Sequence, residues 1–347
     1  MTARIRLFSR LSLGALAVVS LGLALSGCGK GAGPSDAGEP GVIRFSVLSV
    51  GSAQAMSQYW KPILADMATE TGLKVEPYYS TNYTLLVEAM RFHKTDAGWF
   101  SNESGLQAVR RGGGEVFART VGTGGVDGYN SVLIVNAKSR ITLDKVLKCD
   151  RTLNFGIGDV LSTSGTLAPM TYLFAPKDID PKTCFRQVRS ASHMANLFAV
   201  ANGRLDVATN NSTSLKLNRE SGQAEANEVR VIWTSPLLPE DPIVWRKDLD
   251  PAVKEKLRQF FLTYGQGDTP EAARQRGYMA KVNVAGFKAA DDSHLLPVRE
   301  MEATQAWIVA KQSKDKAKIA AAQTALDAIR AQREALEGRT RAPAGAQ

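Results

Sequence analysis

The chain has 347 residues, 44% hydrophobic and 22% charged, a globular composition with enough chain to build two cored lobes. Its formal charge of +9 is modest and comes with no basic stripe interleaved with aromatics, which argues against nucleic acid as a partner. His93, His193 and His294 are scattered without ligand spacing, so neither a metal site nor a cofactor is expected.

Arg4, Arg6 and Arg10 lead into an apolar run, 11-LSLGALAVVSLGLALSG-27, that is short for a membrane span and ends in small residues before a cysteine. This is the pattern of an export signal over 1–27; an uncleaved membrane anchor is the alternative. Leu25-Ser26-Gly27-Cys28 resembles the lipobox of bacterial lipoproteins, whose cysteine is acylated and becomes the new N-terminus. That resemblance implies a periplasmic chain anchored to the membrane through lipid on Cys28, with 28–42, rich in Gly and Pro, as its tether. The segment 1–27 holds three arginines and no acid, so its removal takes the formal charge from +9 to +6. Such a field suits an anionic small ligand and equally an ordinary basic exported protein.

Strand-like and helix-like segments then alternate with short connections. An extended 43–48, a helix over 53–72 with a Gly stop, an extended 73–79 and a helix over 82–93 from an Asn cap come first. They are followed by 97–100, a helix near 103–111 and 115–120. After the Gly-rich 122-GTGGVDG-128, a second set runs through 131–135, a helix at 142–148, 153–157, a helix from 163, 185–189, a helix at 194–202, 206–209, a helix at 211–219 and 229–233. The chain turns through 236-PLLPEDP-242 and resumes with 243–245 and helices near 250–264 and 269–280. The last segment, 311–347, is Ala-, Lys- and Glu-rich, helical to about 337 and frayed beyond.

The pattern predicts an α/β protein of two lobes: 43–129 and 237–310 in lobe 1, 130–236 in lobe 2, with two crossings between them and a ligand cleft where helix N-termini converge. Cys149 and Cys184, the even pair left if Cys28 carries lipid, form a candidate disulfide in an oxidising compartment; two buried free thiols are the alternative. Each precedes a strand-like run, so the two start side by side if those strands are parallel neighbours.

In 159-DVLSTSG-165, Ser162, Thr163 and Ser164 sit at a strand-to-helix turn that leaves backbone N–H groups unpaired. Hydroxyls, free amides and the helix dipole together suit a tetrahedral oxyanion, while a plain N-cap explains one of the three equally well. A nucleophilic serine fits poorly, because no G-x-S-x-G is present and no Lys follows Ser162 or Ser164 by three. His193, in 190-SASHMANLF-198, falls at the next such turn, where an imidazolium can donate to an anion or the ring can simply cap.

D-x-x-S-T-S-G before a helix, then S-x-S-H, then a D-V-A strand leading into Asn-Asn, then P-x-D-P at the return crossing, resembles the phosphonate/phosphite-binding proteins of bacterial ABC importers. The resemblance spans roughly 43–300 and implies a two-lobed type II periplasmic binding protein fold. It also implies a monomer that performs no catalysis, closes on a phosphonate or phosphite and hands it to permease and ATPase subunits. By the same resemblance Ser162, Thr163, Ser164 and His193 hold the oxyanion, and Tyr83 and Tyr129 line the cleft. Asp241 meets the amine of aminoalkylphosphonates, with Asn211 and Thr213 as lesser contacts. Packing, a hinge aromatic and a turn before Pro are the respective alternatives for Tyr83, Tyr129 and Asp241. One position departs from the pattern: some members carry a second carboxylate after Asn-Asn, where this chain reads Ser212-Thr213.

Overall fold

A computed structural model of the chain describes residues 41–50, 53–123 and 127–341. The predicted export signal, Cys28 and all but the last two residues of the tether lie outside them.

From the N-terminal side, Val42–Leu48 (β1), Ala53–Thr71 (α1), Lys74–Ser80 (β2), Tyr83–Arg91 (α2), Ala97–Trp99 (β3), Asn102–Arg111 (α3) and Gly114–Gly122 (β4) alternate as the sequence predicts. The second set is Ser131–Asn136 (β5), Leu143–Leu147 (α4), Asn154–Ile157 (β6), Pro181–Cys184 (α5), Gln187–Ser190 (β7), His193–Ala201 (α6), Val207–Asn211 (β8), Ser212–Glu220 (α7) and Val229–Thr234 (β9). Pro242–Arg246 (β10), Pro251–Thr263 (α8), Pro270–Ala280 (α9), Val284–Ala289 (β11), Leu296–Gln312 (α10) and Lys316–Arg341 (α11) complete the order. Strand β11 and helix α10 had no counterpart in the sequence pattern, and α11 continues past the expected fraying point at 337.

The strands make two mixed sheets, one ordered β11-β4-β10-β3-β1-β2 and the other β7-β6-β8-β5-β9. Strands β1, β2 and β3 run parallel, and the returning β10 inserts antiparallel between β3 and β4. The chain leaves the first sheet after Gly122, enters the second at Ser131, and comes back between Thr234 and Pro242. An antiparallel bridge between Tyr129 and Leu238 ties the two crossings together.

Burial explains why each sheet holds. Phe45 stacks between Trp60 and Phe261, and Phe117 lies on Trp245 with ring centroids 3.8 Å apart, so helices α1 and α8 are fixed to the first sheet by aromatic contacts. In the second sheet, Phe155, Phe174 and Phe185 pack on one face and Leu197, Val200 and Leu215 on the other. Strands β6 and β7 are parallel neighbours, and Cys149 and Cys184, just upstream of them, are disulfide-bonded across a sequence separation of 35.

The segment after β6 departs from an ordinary α-helix. Residues 163–177 form one helical run whose Thr163–Leu167 and Met170–Phe174 portions have wide, π-type turns. Its entry is pinched: Gly158 N–H donates to Gly165 O at 2.9 Å, and a Cβ built on Gly158 would stand 2.5 Å from Gly165 Cα. Only glycine permits that approach, and it folds the hydroxyl turn back over the end of β6.

Candidate functional site

Four helix starts supply polar caps around one point. Asn82 caps α2, Ser101 caps α3, Ser162 caps the 163–177 run and Asn211 caps α7, each through a side-chain oxygen that accepts a backbone N–H of the following turn. Of these, Ser101, Ser162 and Asn211 line a cavity of about 40 Å³ between the two sheets. That volume accommodates a few water-sized groups, the scale of a small oxyanion.

The second sheet contributes Ser162, Ser164, His193, Asn211 and Thr213 to the cavity wall. His193 Nε2 lies 3.3 Å from Ser164 Oγ and 3.5 Å from Ser162 Oγ, and Asn211 Nδ2 donates to Ser164 Oγ at 3.2 Å. Ser162 is therefore both a cap and a wall residue: its Oγ accepts from Gly165 N–H at 3.0 Å and keeps its own proton to donate. Capping a helix and lining the cavity, which compete on paper, coincide at this residue. His193 is buried, burial pushes its imidazole down to about 4, and its Nδ1 has no partner among the described residues. The ring is neutral at pH 7, with one N–H to give.

Thr163 behaves differently from its neighbours. It does not line the cavity, and its Oγ1 accepts a hydrogen bond from Glu103 N at 2.8 Å. The middle hydroxyl of the expected three thus faces α3 of the first sheet, because successive residues of a turn cannot all point one way.

On the first-sheet side, Tyr83, Tyr129 and Asp241 all reach the cavity. Tyr83 is buried, and burial raises the pKa of its phenol. Asp241 Oδ1 accepts from Tyr129 OH and from Asn102 Nδ2, both at 3.3 Å. Burial first, and then the neighbouring Glu240 charge, hold the Asp241 carboxyl well above the usual carboxylate range, while the Tyr129 bond acts the other way. All eight of Ser162, Ser164, His193, Tyr83, Tyr129, Asp241, Asn211 and Thr213 meet in one cavity, and Thr163 stands behind it.

Further wall residues escaped the sequence reading. Ser101, at the turn after β3, carries the same strand-turn-cap signal that marks Ser162 and was legible by the same logic. Thr120, Glu240 and Asn283 gave no local signal; β4, the return crossing and the turn before β11 bring them in, respectively.

Contacts across the cleft hold the cavity shut. Tyr83 N donates to Asp159 Oδ2 at 3.3 Å, Ser101 Oγ to Leu161 O at 3.1 Å, and Lys216 Nζ to Thr123 Oγ1 and Asn283 Oδ1 at 2.7 Å each.

Residues 45–295 match the family model for the periplasmic substrate-binding protein of phosphonate ABC transporters. The chain belongs to this family. The phosphonates-binding periplasmic protein of Escherichia coli K12 is 41% identical over 260 residues, 75% of either chain. The chain is also similar to the crystal structure of a binding protein component of an ABC phosphonate transporter from Pseudomonas aeruginosa. The TM-score is 0.78 at 37% identity, over 86% of this chain and 97% of that one. A Prochlorococcus marinus protein solved with methylphosphonate shares the fold at TM-score 0.66 and 21% identity, over 76% of this chain and 97% of that one. The two mixed sheets are the two lobes of a type II periplasmic binding protein, and this phosphonate-binding protein is a transport component without catalytic activity.

Proposed function

We propose that the cavity closes on a phosphonate or phosphite with its oxygens at Ser162, Ser164 and His193 and its substituent towards Tyr83, Tyr129 and Asp241. The observation that carries this is the convergence of His193 Nε2 with Ser162 Oγ and Ser164 Oγ, which gathers neutral donors around one small volume. Charge-assisted bonds from such donors select an oxyanion without a buried cation. Thr163 acts indirectly, holding the hydroxyl turn against α3.

The lobes divide at 129/130 and 236/237, and closure swings them about the two crossings. Loaded, the monomeric protein presents its ligand to a permease driven by an ATPase on other chains. Lipid on Cys28 keeps it at the membrane; Cys28→Ala should free it into the soluble periplasmic fraction, and retention in the membrane would count against the anchor.

Calorimetric titration with methyl-, ethyl- and 2-aminoethylphosphonate, phosphite, phosphate and an alkylsulfonate tests the ligand assignment. A phosphonate or phosphite should bind most tightly; dominance of phosphate or the sulfonate would refute it.

A further inference from the structure

The charge inventory of the cavity is unusual for a site that takes an anion. Among the described residues lining it there is no lysine and no arginine, whereas two carboxyl groups, Glu240 and Asp241, are present. Both are buried, each about 9% exposed. Arg119, whose charge acts on Glu240, is already engaged by both oxygens of Asp127 at 2.6 and 2.7 Å.

Glu240 is held in place at two points, and its partner Thr120 is held at a third. Its backbone carbonyl accepts from His294 Nε2 at 2.7 Å, its Oε2 accepts from Thr120 Oγ1 at 3.2 Å, and Thr120 Oγ1 in turn accepts from Asp241 N at 3.1 Å. Its other oxygen, Oε1, is buried with no partner among the described residues. A fixed, buried carboxylate oxygen without a donor is costly unless a ligand supplies one. A ligand whose far end is anionic or apolar supplies no donor to these two carboxyl groups; one carrying an ammonium at the opposite end from its oxyanion supplies donors to both and favours their ionised form.

We infer that Glu240 is a specificity-determining residue, forming with Asp241 a paired-carboxylate end of the cavity for the ammonium of an aminoalkylphosphonate. Glu240 thereby supplies, from the return crossing, the second carboxylate that the chain lacks at Ser212-Thr213. The inference rests on the phosphonate assignment above and adds the chemistry of the substituent.

Paired titrations of the purified protein with 2-aminoethylphosphonate and ethylphosphonate test it, since the two ligands differ only in the amine. Glu240→Gln should weaken the aminoethyl ligand about tenfold or more, the effect of removing one buried charge from a pair, and move ethylphosphonate less than about threefold. The ethylphosphonate affinity doubles as the check that the variant is folded. Glu240→Gln combined with Thr213→Glu places a carboxylate on the opposite wall and should restore the preference for the amine. An aminoethylphosphonate affinity untouched by Glu240→Gln, or an equal loss for both ligands, overturns the role of Glu240 alone. Failure of the unaltered protein to bind either phosphonate overturns the phosphonate assignment and this inference with it.

Discussion

The hydroxyl of Thr163 accepts a hydrogen bond from the backbone amide of Glu103, 2.8 Å away on the opposite side of the cleft. That amide belongs to the first turn of α3 and has no partner within its own helix, so the bond exists only while the lobes are together. Thr163→Val keeps the shape and removes the acceptor. We expect every ligand to weaken by the same factor, about fivefold, corresponding to roughly 1 kcal/mol lost from the closed form. A loss confined to one ligand in calorimetry would show that Thr163 touches the ligand itself.

Ser164 and Ser162 separate binding from folding. Ser164 caps no helix start, so Ser164→Ala should cost about 1–3 kcal/mol of affinity for every phosphonate, and its effect on the stability of the empty protein is confined to the bond its Oγ accepts from Asn211 Nδ2. Ser162 also accepts from Gly165 N–H, so Ser162→Ala should lower both affinity and stability, the latter by about 1 kcal/mol. Unchanged affinity in both variants would disprove the oxyanion assignment.

Two buried groups set opposing slopes of stability with pH in the empty protein. Glu103 is pushed up to about 7 by burial and by the charge of Glu302, with Gln107 Nε2 bridging the pair at 3.0 and 3.3 Å. Its folded-state value exceeds the ordinary 4.5, so its contribution is complete below 4.5 and lost as pH rises through 7. His193 lies at about 4, below the ordinary 6.5, so its contribution is complete above 6.5 and lost as pH falls towards 4. Asp241 and Glu240, also raised by burial, add to the Glu103 slope, so the two contributions are read by difference from the unaltered protein in denaturant unfolding at pH 5 and pH 7. Relative to the unaltered protein, Glu103→Gln should shift the change in stability from pH 5 to 7 upward and His193→Gln should shift it downward, each on the order of 2 kcal/mol. Identical pH profiles for the three proteins would contradict both assignments.

The Cys149–Cys184 bridge precedes β6 and β7, whereas the cavity lies beyond their other ends. Replacing both cysteines by serine should lower stability by about 2–4 kcal/mol through the freed chain and leave ligand affinity within about twofold. A large affinity loss would mean that the bridge also shapes the turn at 159–165.

Much of the fold was legible because β1 to β9 alternate with capped helices, and caps such as Asn82 and Ser192 announce themselves locally. Strand β11 did not, since VAGFKA pairs antiparallel only with β4 and its buried residues, Val284, Gly286 and Phe287, follow no clean alternation. Helix α10 packs against α3, α11 and the 163–177 run, so its buried positions form no single stripe. In the site, Ser162 and His193 were readable as residues at strand-to-helix turns. Glu240 was not, because in sequence it is one more polar residue between two prolines of a turn. The divergence of Thr163 from Ser162 and Ser164 was equally hidden, since only the position of α3 distinguishes three adjacent hydroxyls.

Gly158 and Gly165 give the motif a different grammar. A Cβ on Gly165 would come within 2.8 Å of both Gly158 Cα and Ser162 Oγ, so the terminal glycine of D-x-x-S-T-S-G is there for clearance. Its counterpart stands one residue before the motif begins. A pattern that describes the site on this chain is therefore G-D-x-x-S-x-S-G: two empty places that let the loop seat, two hydroxyls that face inward, and a wild card where the third looks away. Alanine at either glycine would alter recognition from a position that never meets the ligand.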